Sequence, residues 1–106
     1  MSQSTLDELF RILESRKDAD PAVSYTAKLL GDRKKIAKKL GEEGVEAALE
    51  VLLGDRDKLV SESADVLYHL LVSWVSLGIE PEEVWRSLEA RMGRSGLEEK
   101  KSRKAD

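Results

Sequence analysis

Hydrophobic residues recur at three- and four-residue intervals along most of the chain, which is the spacing of amphipathic helices. Ser24 and Pro81 occupy positions typical of helix starts. Thr5 and Glu8 have the spacing of a capping box, which predicts that the first helix begins at Thr5. The predicted helices cover about residues 5–15, 25–30, 33–53, 57–77 and 81–92. No segment alternates in polarity as a strand does, so we predict an all-α fold.

We assign residues 1–93 to one all-α domain, a bundle of four to five helices with two long central antiparallel helices, and residues 94–106 to a polar tail. The second central helix is apolar around most of its circumference. Its apolar residues are Leu59, Val60, Val66, Leu67, Leu70, Leu71, Val72, Trp74, Val75 and Leu77. Such a helix must be buried on nearly every side. A homodimer, in which a second subunit supplies the missing cover, is therefore favoured over a monomeric four-helix bundle.

A narrow polar stripe interrupts this apolar helix, and an acidic stripe runs along the first central helix. The two stripes consist of Lys58, Glu62, Asp65, His69 and Ser76, and of Lys39, Glu43, Glu46 and Glu50. Glu62 and Asp65 are neighbours on the helix surface because they are three residues apart. If the stripes face each other across an antiparallel pair, Glu43, Glu46, Glu62 and Asp65 converge.

Neither helix supplies a nearby cation for these carboxylates, since no Lys or Arg follows Lys39 on the first or Lys58 on the second. Buried carboxylates are costly unless a positive charge compensates them. A divalent cation would do so, and all-oxygen ligands suit Mg²⁺ or Mn²⁺ rather than zinc. The alternative is a solvated acidic face with ordinary ion pairs, Lys38 with Glu42 and Lys39 with Glu43.

Composition narrows the chemistry further. The 106-residue chain has no cysteine and a single histidine, His69. Disulfides are therefore excluded, and a zinc site or a Cys or Ser–His nucleophile would be difficult to assemble within one chain. We expect His69 to be a hydrogen-bonded core residue. The net charge of −3 argues against general nucleic-acid binding. The most apolar stretch, residues 70–79, is too short to span a membrane, so a cytoplasmic location is the default expectation.

Two cationic segments flank the acidic centre. They comprise Arg33, Lys34, Lys35, Lys38 and Lys39 before it, and Arg94, Lys100, Lys101, Arg103 and Lys104 in the tail. Cations beside a carboxylate-bound metal are what a polyphosphate substrate would require. A solubilising surface and a frayed tail are the alternative interpretations of the two segments.

The pattern Glu42-Glu43-x-x-Glu46, followed by Glu62-x-x-Asp65, resembles the metal signature of the all-α nucleoside-triphosphate pyrophosphohydrolases, the MazG-like superfamily. The sequences SYTAKL at 24–29, KLGEE at 39–43, DVLYHLL at 65–71 and SGLEEK at 95–100 resemble the phosphoribosyl-ATP pyrophosphatase family. This resemblance covers nearly the whole chain. Gly44 and Ser63 stand where alanine is more usual, and neither replaces a ligand.

The resemblance implies Mg²⁺-dependent hydrolysis of phosphoribosyl-ATP to phosphoribosyl-AMP and pyrophosphate, the second step of histidine biosynthesis, by a homodimer. It assigns metal binding to Glu43, Glu46, Glu62 and Asp65, and catalytic roles to Glu42, Glu43 and Glu46, with Glu42 supporting or orienting water. We expect the substrate phosphates to be bound by Lys28, Lys39, Lys100 and Arg103. Two alternatives remain open: a house-cleaning pyrophosphohydrolase acting on free nucleotides, and a non-catalytic helical dimerisation module.

Overall fold

The computed structural model describes the backbone of residues 2–92 and the side chains of residues 5–92. Five helices follow one another in this part of the chain. They are α1 (Ser2–Ser15), α2 (Tyr25–Leu30), α3 (Arg33–Leu53), α4 (Arg56–Leu77) and α5 (Pro81–Arg91). No strand is present within the described residues, so the predicted all-α class is confirmed. The tail, including Lys100 and Arg103, lies outside the described residues.

Side-chain caps explain most of the helix boundaries. The hydroxyl of Ser24 accepts a hydrogen bond from the backbone N–H of Ala27, and this contact starts α2. The carboxylate of Asp55 starts α4 at Arg56, one residue earlier than predicted. The predicted capping box at Thr5 is wrong, because α1 begins at Ser2 and Thr5 lies inside the helix.

A short turn joins α3 and α4 into an antiparallel hairpin. Gly54 ends α3 with a φ of 70°, a left-handed conformation that glycine adopts without strain. Asp55 then caps the next helix, so the chain reverses within two residues. The two long helices pack along each other, as the sequence predicted.

The hydrophobic core lies at one end of this hairpin. It is built from Phe10, Leu13, Leu29, Ile36, Leu71, Val72, Trp74 and Val75. Helices α1 and α2 pack against this end of α4, and α5 joins it through an edge-to-face contact between Trp85 and Trp74 with ring centroids 6.0 Å apart. The prediction that α4 is buried nearly all round is therefore correct within one chain only for its C-terminal half.

The other end of the hairpin exposes apolar side chains to solvent. On α3 these are Val45, Leu49 and Leu52, which follow one another at helical spacing. On α4, Val60 and Leu67 are exposed as well. We call these five side chains the uncovered face. No helix in the described part of the chain combines the length and hydropathy needed to cross a membrane, and the cytoplasmic location stays a prediction.

Candidate metal centre

The hairpin brings three of the four predicted metal ligands together. Glu43 on α3 and Glu62 and Asp65 on α4 each offer a carboxylate oxygen, and these three oxygens all lie within 4.8 Å of one another. Antiparallel packing sets Glu43 opposite the α4 pair, while the three-residue spacing keeps Glu62 and Asp65 on one face of α4. We call Glu43, Glu62 and Asp65 the carboxylate cluster.

The cluster is open on one side and closed on the other. Glu43 is buried, Glu62 is half-buried and Asp65 is exposed. One oxygen of Glu62, Oε1, is shielded from solvent and has no hydrogen-bond partner among the described residues. A buried carboxylate oxygen without a donor is unfavourable, and a bound cation would remove that penalty.

Glu46, the fourth predicted ligand, lies one turn along α3 from Glu43 and is exposed. It is not one of the three residues whose oxygens converge within 4.8 Å. Its negative charge nevertheless acts on Glu62 of the cluster. Burial raises the pKa of Glu62 above the ordinary carboxyl value, and the negative charges of Glu46, Asp65 and Glu43 raise it further. Burial and the neighbouring carboxylates therefore both disfavour the ionised form of Glu62.

The raised pKa of Glu62 predicts that the stability of the metal-free protein depends on pH. Because native Glu62 holds its proton to higher pH than the unfolded chain does, its ionisation destabilises the native state. Relative to Glu62→Gln, we expect wild type to lose stability as the pH rises from about 4.5 through the raised pKa, and to lose no more above it. Urea unfolding in EDTA between pH 4 and pH 8 would measure the difference. Parallel pH profiles of the two proteins would contradict this prediction.

Within the described residues, Lys39 forms an ion pair with the cluster. Its Nζ lies 3.3 Å from Glu42 Oε1 and 3.8 Å from Glu43 Oε2, so it bridges the two carboxylates. A hydrogen bond from Lys39 to Glu42 and the charge of Glu42 raise the pKa of Lys39, with smaller contributions from Tyr25 and Glu43. Glu42 is exposed and points away from the cluster, because successive helical residues differ by about 100°.

Solvated ion pairs explain only part of the acidic stripe. Of the two pairs that this alternative predicted, Lys39 with Glu43 is present, whereas Glu42 pairs with Lys39 and not with Lys38. No described cation contacts Glu62. Lys28 is exposed on α2, and no hydrogen bond or ion pair within residues 5–92 joins it to the carboxylates.

Three aromatic rings lie next to the cluster, and none of them was predicted to belong to the site. His69 is buried, and its Nδ1 donates a hydrogen bond to the backbone carbonyl of Asp65 over 2.8 Å, which confirms the predicted hydrogen-bonded core role. The rings of Tyr68 and Tyr25 pack beside it. Tyr68 and His69 follow Asp65 directly in sequence, and that adjacency was the available signal. Only the fold brings Tyr25 of α2 to the same place.

Comparison with known proteins assigns this helical bundle to the pyrophosphohydrolases. The family model described as phosphoribosyl-ATP pyrophosphohydrolase matches residues 6–92. The chain belongs to this family. The resemblance seen in the sequence is thus confirmed, and with it the enzyme class, a hydrolase.

Individual relatives agree with this assignment. The chain is 54% identical to the phosphoribosyl-ATP pyrophosphatase of Granulibacter bethesdensis over 92% of its own length, although it spans only 62% of that relative. Identity to the phosphoribosyl-ATP pyrophosphatase of Paramagnetospirillum magneticum is 54%, covering 92% of this chain and 91% of the relative. Identity to the phosphoribosyl-ATP pyrophosphatase of Azospirillum brasilense is 49%, covering 99% of this chain and 96% of the relative.

Proposed function

We propose that this chain hydrolyses phosphoribosyl-ATP to phosphoribosyl-AMP and pyrophosphate in histidine biosynthesis, with Mg²⁺ held by Glu43, Glu46, Glu62 and Asp65. The observation that carries the proposal is the convergence of three carboxylates within 4.8 Å on a hairpin of this family. In the reaction, the oxygen of water bonds to phosphorus at the α–β linkage, the P–O bond to the bridging oxygen breaks, pyrophosphate leaves, and the attacking water releases a proton to solvent.

The residues present fit a hard divalent cation. Every donor is a carboxylate oxygen, and Glu62 contributes a buried oxygen without a hydrogen-bond partner in the described part of the chain. Mn²⁺, which takes the same ligands, is the expected substitute. When bound, the metal would offset negative charge on the phosphate oxygens.

Side chains around the cluster would bind the substrate phosphates and orient the attacking water. Lys39, held beside the cluster by its two ion pairs, would bind phosphate oxygens of the substrate. Glu42 would position Lys39 through their ion pair. Glu46 is exposed, and its charge raises the pKa of Glu62 after the larger effect of burial. It would orient the attacking water. Lys28, and Lys100 and Arg103 of the tail, remain proposed phosphate contacts.

We also propose that the working unit is a homodimer whose interface is the uncovered face. A helix face of this kind is unfavourable in water, because each exposed aliphatic side chain forfeits the free energy of burial. Leu52 is 80% exposed and Val60 68% exposed, far more than the core residues of the same helices. A second copy supplies a self-complementary apolar surface without requiring any other partner.

Pyrophosphate release from phosphoribosyl-ATP, with and without Mg²⁺, tests the proposed function. We expect release that needs Mg²⁺ and that exceeds release from ATP and a panel of other nucleoside triphosphates. Efficient release from the free nucleotides, without release from phosphoribosyl-ATP, would instead favour the house-cleaning enzyme. Absence of release together with absence of a Mg²⁺-dependent rise in Tm would favour the non-catalytic dimerisation module, since a metal bound only by the folded state must stabilise it.

A further inference from the structure

Tyr25 is a partly exposed aromatic residue to which the proposed mechanism gives no task. It is the first residue of α2, which Ser24 caps, and 47% of it is exposed to solvent. Its ring lies nearly parallel to that of Tyr68, with centroids 6.4 Å apart and an interplanar angle of 16°. The ring of His69 meets it edge-on, with centroids 6.5 Å apart. Tyr25 is therefore positioned by two other rings without being buried by them.

The rings behind Tyr25 are themselves fixed. The hydroxyl of Tyr68 shares a 2.6 Å hydrogen bond with the hydroxyl of Thr26, the next residue of α2. His69 is held to the Asp65 backbone carbonyl one turn away on α4. These contacts connect the orientation of Tyr25 to the helix that carries Glu62 and Asp65. A ligand that used the exposed part of this ring would meet a surface already ordered before binding, which reduces the entropy lost on association.

The surroundings of Tyr25 indicate what such a ligand would be. Tyr25 meets the ring of His69, whose Nδ1 donates a hydrogen bond to the backbone carbonyl of Asp65 in the carboxylate cluster. Lys39 contacts Glu43 of the same cluster. One region thus combines a partly open aromatic ring, an ammonium group and metal-ligating oxygens. A nucleotide has the matching groups in sequence, with a flat base separated from its phosphates by one ribose. Base stacking on an aromatic side chain needs no hydrogen-bond pattern, because every base has a π-face.

We propose that Tyr25 is the purine-stacking residue of this enzyme and contributes binding energy through the base of the substrate. This inference rests on the proposed function, because it takes the phosphates to lie at the carboxylate cluster. It predicts that Tyr25 acts on ligands that carry a base and has no effect on ligands that consist of phosphate alone.

Two ligands separate these contributions. Tripolyphosphate has the phosphates without a base, and α,β-methylene-ATP has both and cannot be cleaved at the α–β linkage. Their binding to the full chain in Mg²⁺ would be measured by calorimetry for wild type and for Tyr25→Leu. We expect Tyr25→Leu to weaken binding of the ATP analogue about tenfold, as loss of one stacking contact does, and to leave the tripolyphosphate Kd within about twofold.

Conservative variants distinguish stacking from a structural role. Tyr25→Phe and Tyr25→Trp keep a ring, so we expect both to restore affinity for the ATP analogue, while Tm reports whether each variant is folded. Equal loss for both ligands, or no loss for either, would overturn the role of Tyr25. That result would leave the proposed function intact if wild type still released pyrophosphate from phosphoribosyl-ATP. Failure of wild type to release pyrophosphate from phosphoribosyl-ATP would overturn both proposals, whereas failure to bind the ATP analogue would overturn only the role of Tyr25.

Discussion

Glu62→Gln is expected to reduce Mg²⁺-dependent pyrophosphate release from phosphoribosyl-ATP by at least about 100-fold, since even outer-shell changes at metal sites cost 10- to 100-fold. The amide has the shape of the carboxylate but lacks its charge. The variant should also lose most of the Mg²⁺-induced rise in Tm, because the cluster would keep fewer anionic ligands. Steady-state kinetics and thermal unfolding at several Mg²⁺ concentrations would measure both effects.

The metal-free form of the same variant should change in the opposite direction. Burial first, and then the charges of Glu46, Asp65 and Glu43, make the ionised form of Glu62 unfavourable, so its neutral replacement should raise the Tm in EDTA at neutral pH. Lower activity with higher metal-free stability cannot arise from general damage to the fold. Glu89→Gln, on the exposed surface of α5, is the matched control and should alter neither quantity. Near wild-type turnover by Glu62→Gln would show that the proposed metal site is wrong.

Leu49→Lys is expected to convert the proposed dimer into a monomer, raising the dimer Kd by at least about 100-fold. Leu49 lies in the middle of the uncovered face on α3 and is 50% exposed in the single chain. An ammonium group at this position would be carried into an apolar interface without a partner, which is strongly unfavourable. Sedimentation equilibrium over a range of protein concentrations would measure the change.

Leu88→Lys is the matched control for this experiment. Leu88 is 47% exposed, close to the exposure of Leu49, but it lies on α5 and outside the uncovered face. We expect this variant to sediment as wild type does. A monomeric wild-type protein, or equal dissociation of both variants, would contradict an interface at the uncovered face.

Much of the secondary structure could be predicted because its determinants are local. The bounds of α2 and α3 follow from the caps at Ser24 and Asp32 and from glycines just past the helix ends. Each of these contacts spans only a few residues, so the sequence contains both partners. The start of α1 was mispredicted because Thr5 and Glu8 have a capping-box spacing within a helix that begins at Ser2.

The composition of the candidate site was equally accessible to sequence reasoning. A three-residue spacing on any helix makes Glu62 and Asp65 neighbours, and an antiparallel hairpin then sets Glu43 opposite them. The sequence did not indicate that Glu62 would carry a buried oxygen without a hydrogen-bond partner, or that Lys39 would pair with Glu42. Both depend on side-chain positions between two helices, which periodicity does not describe.

By itself, therefore, the sequence determined the helices, the hairpin and the family, because caps, glycines and residue spacing act over short distances along the chain. Only the tertiary structure decided which half of α4 one chain covers, since α1, α2 and α5 all gather at the same end of the hairpin. It also decided that Tyr25, distant in sequence from α4, packs against the rings of Tyr68 and His69, the second of which hydrogen-bonds the backbone carbonyl of Asp65. Contacts of this kind depend on how separate helices pack, and no local pattern encodes that packing.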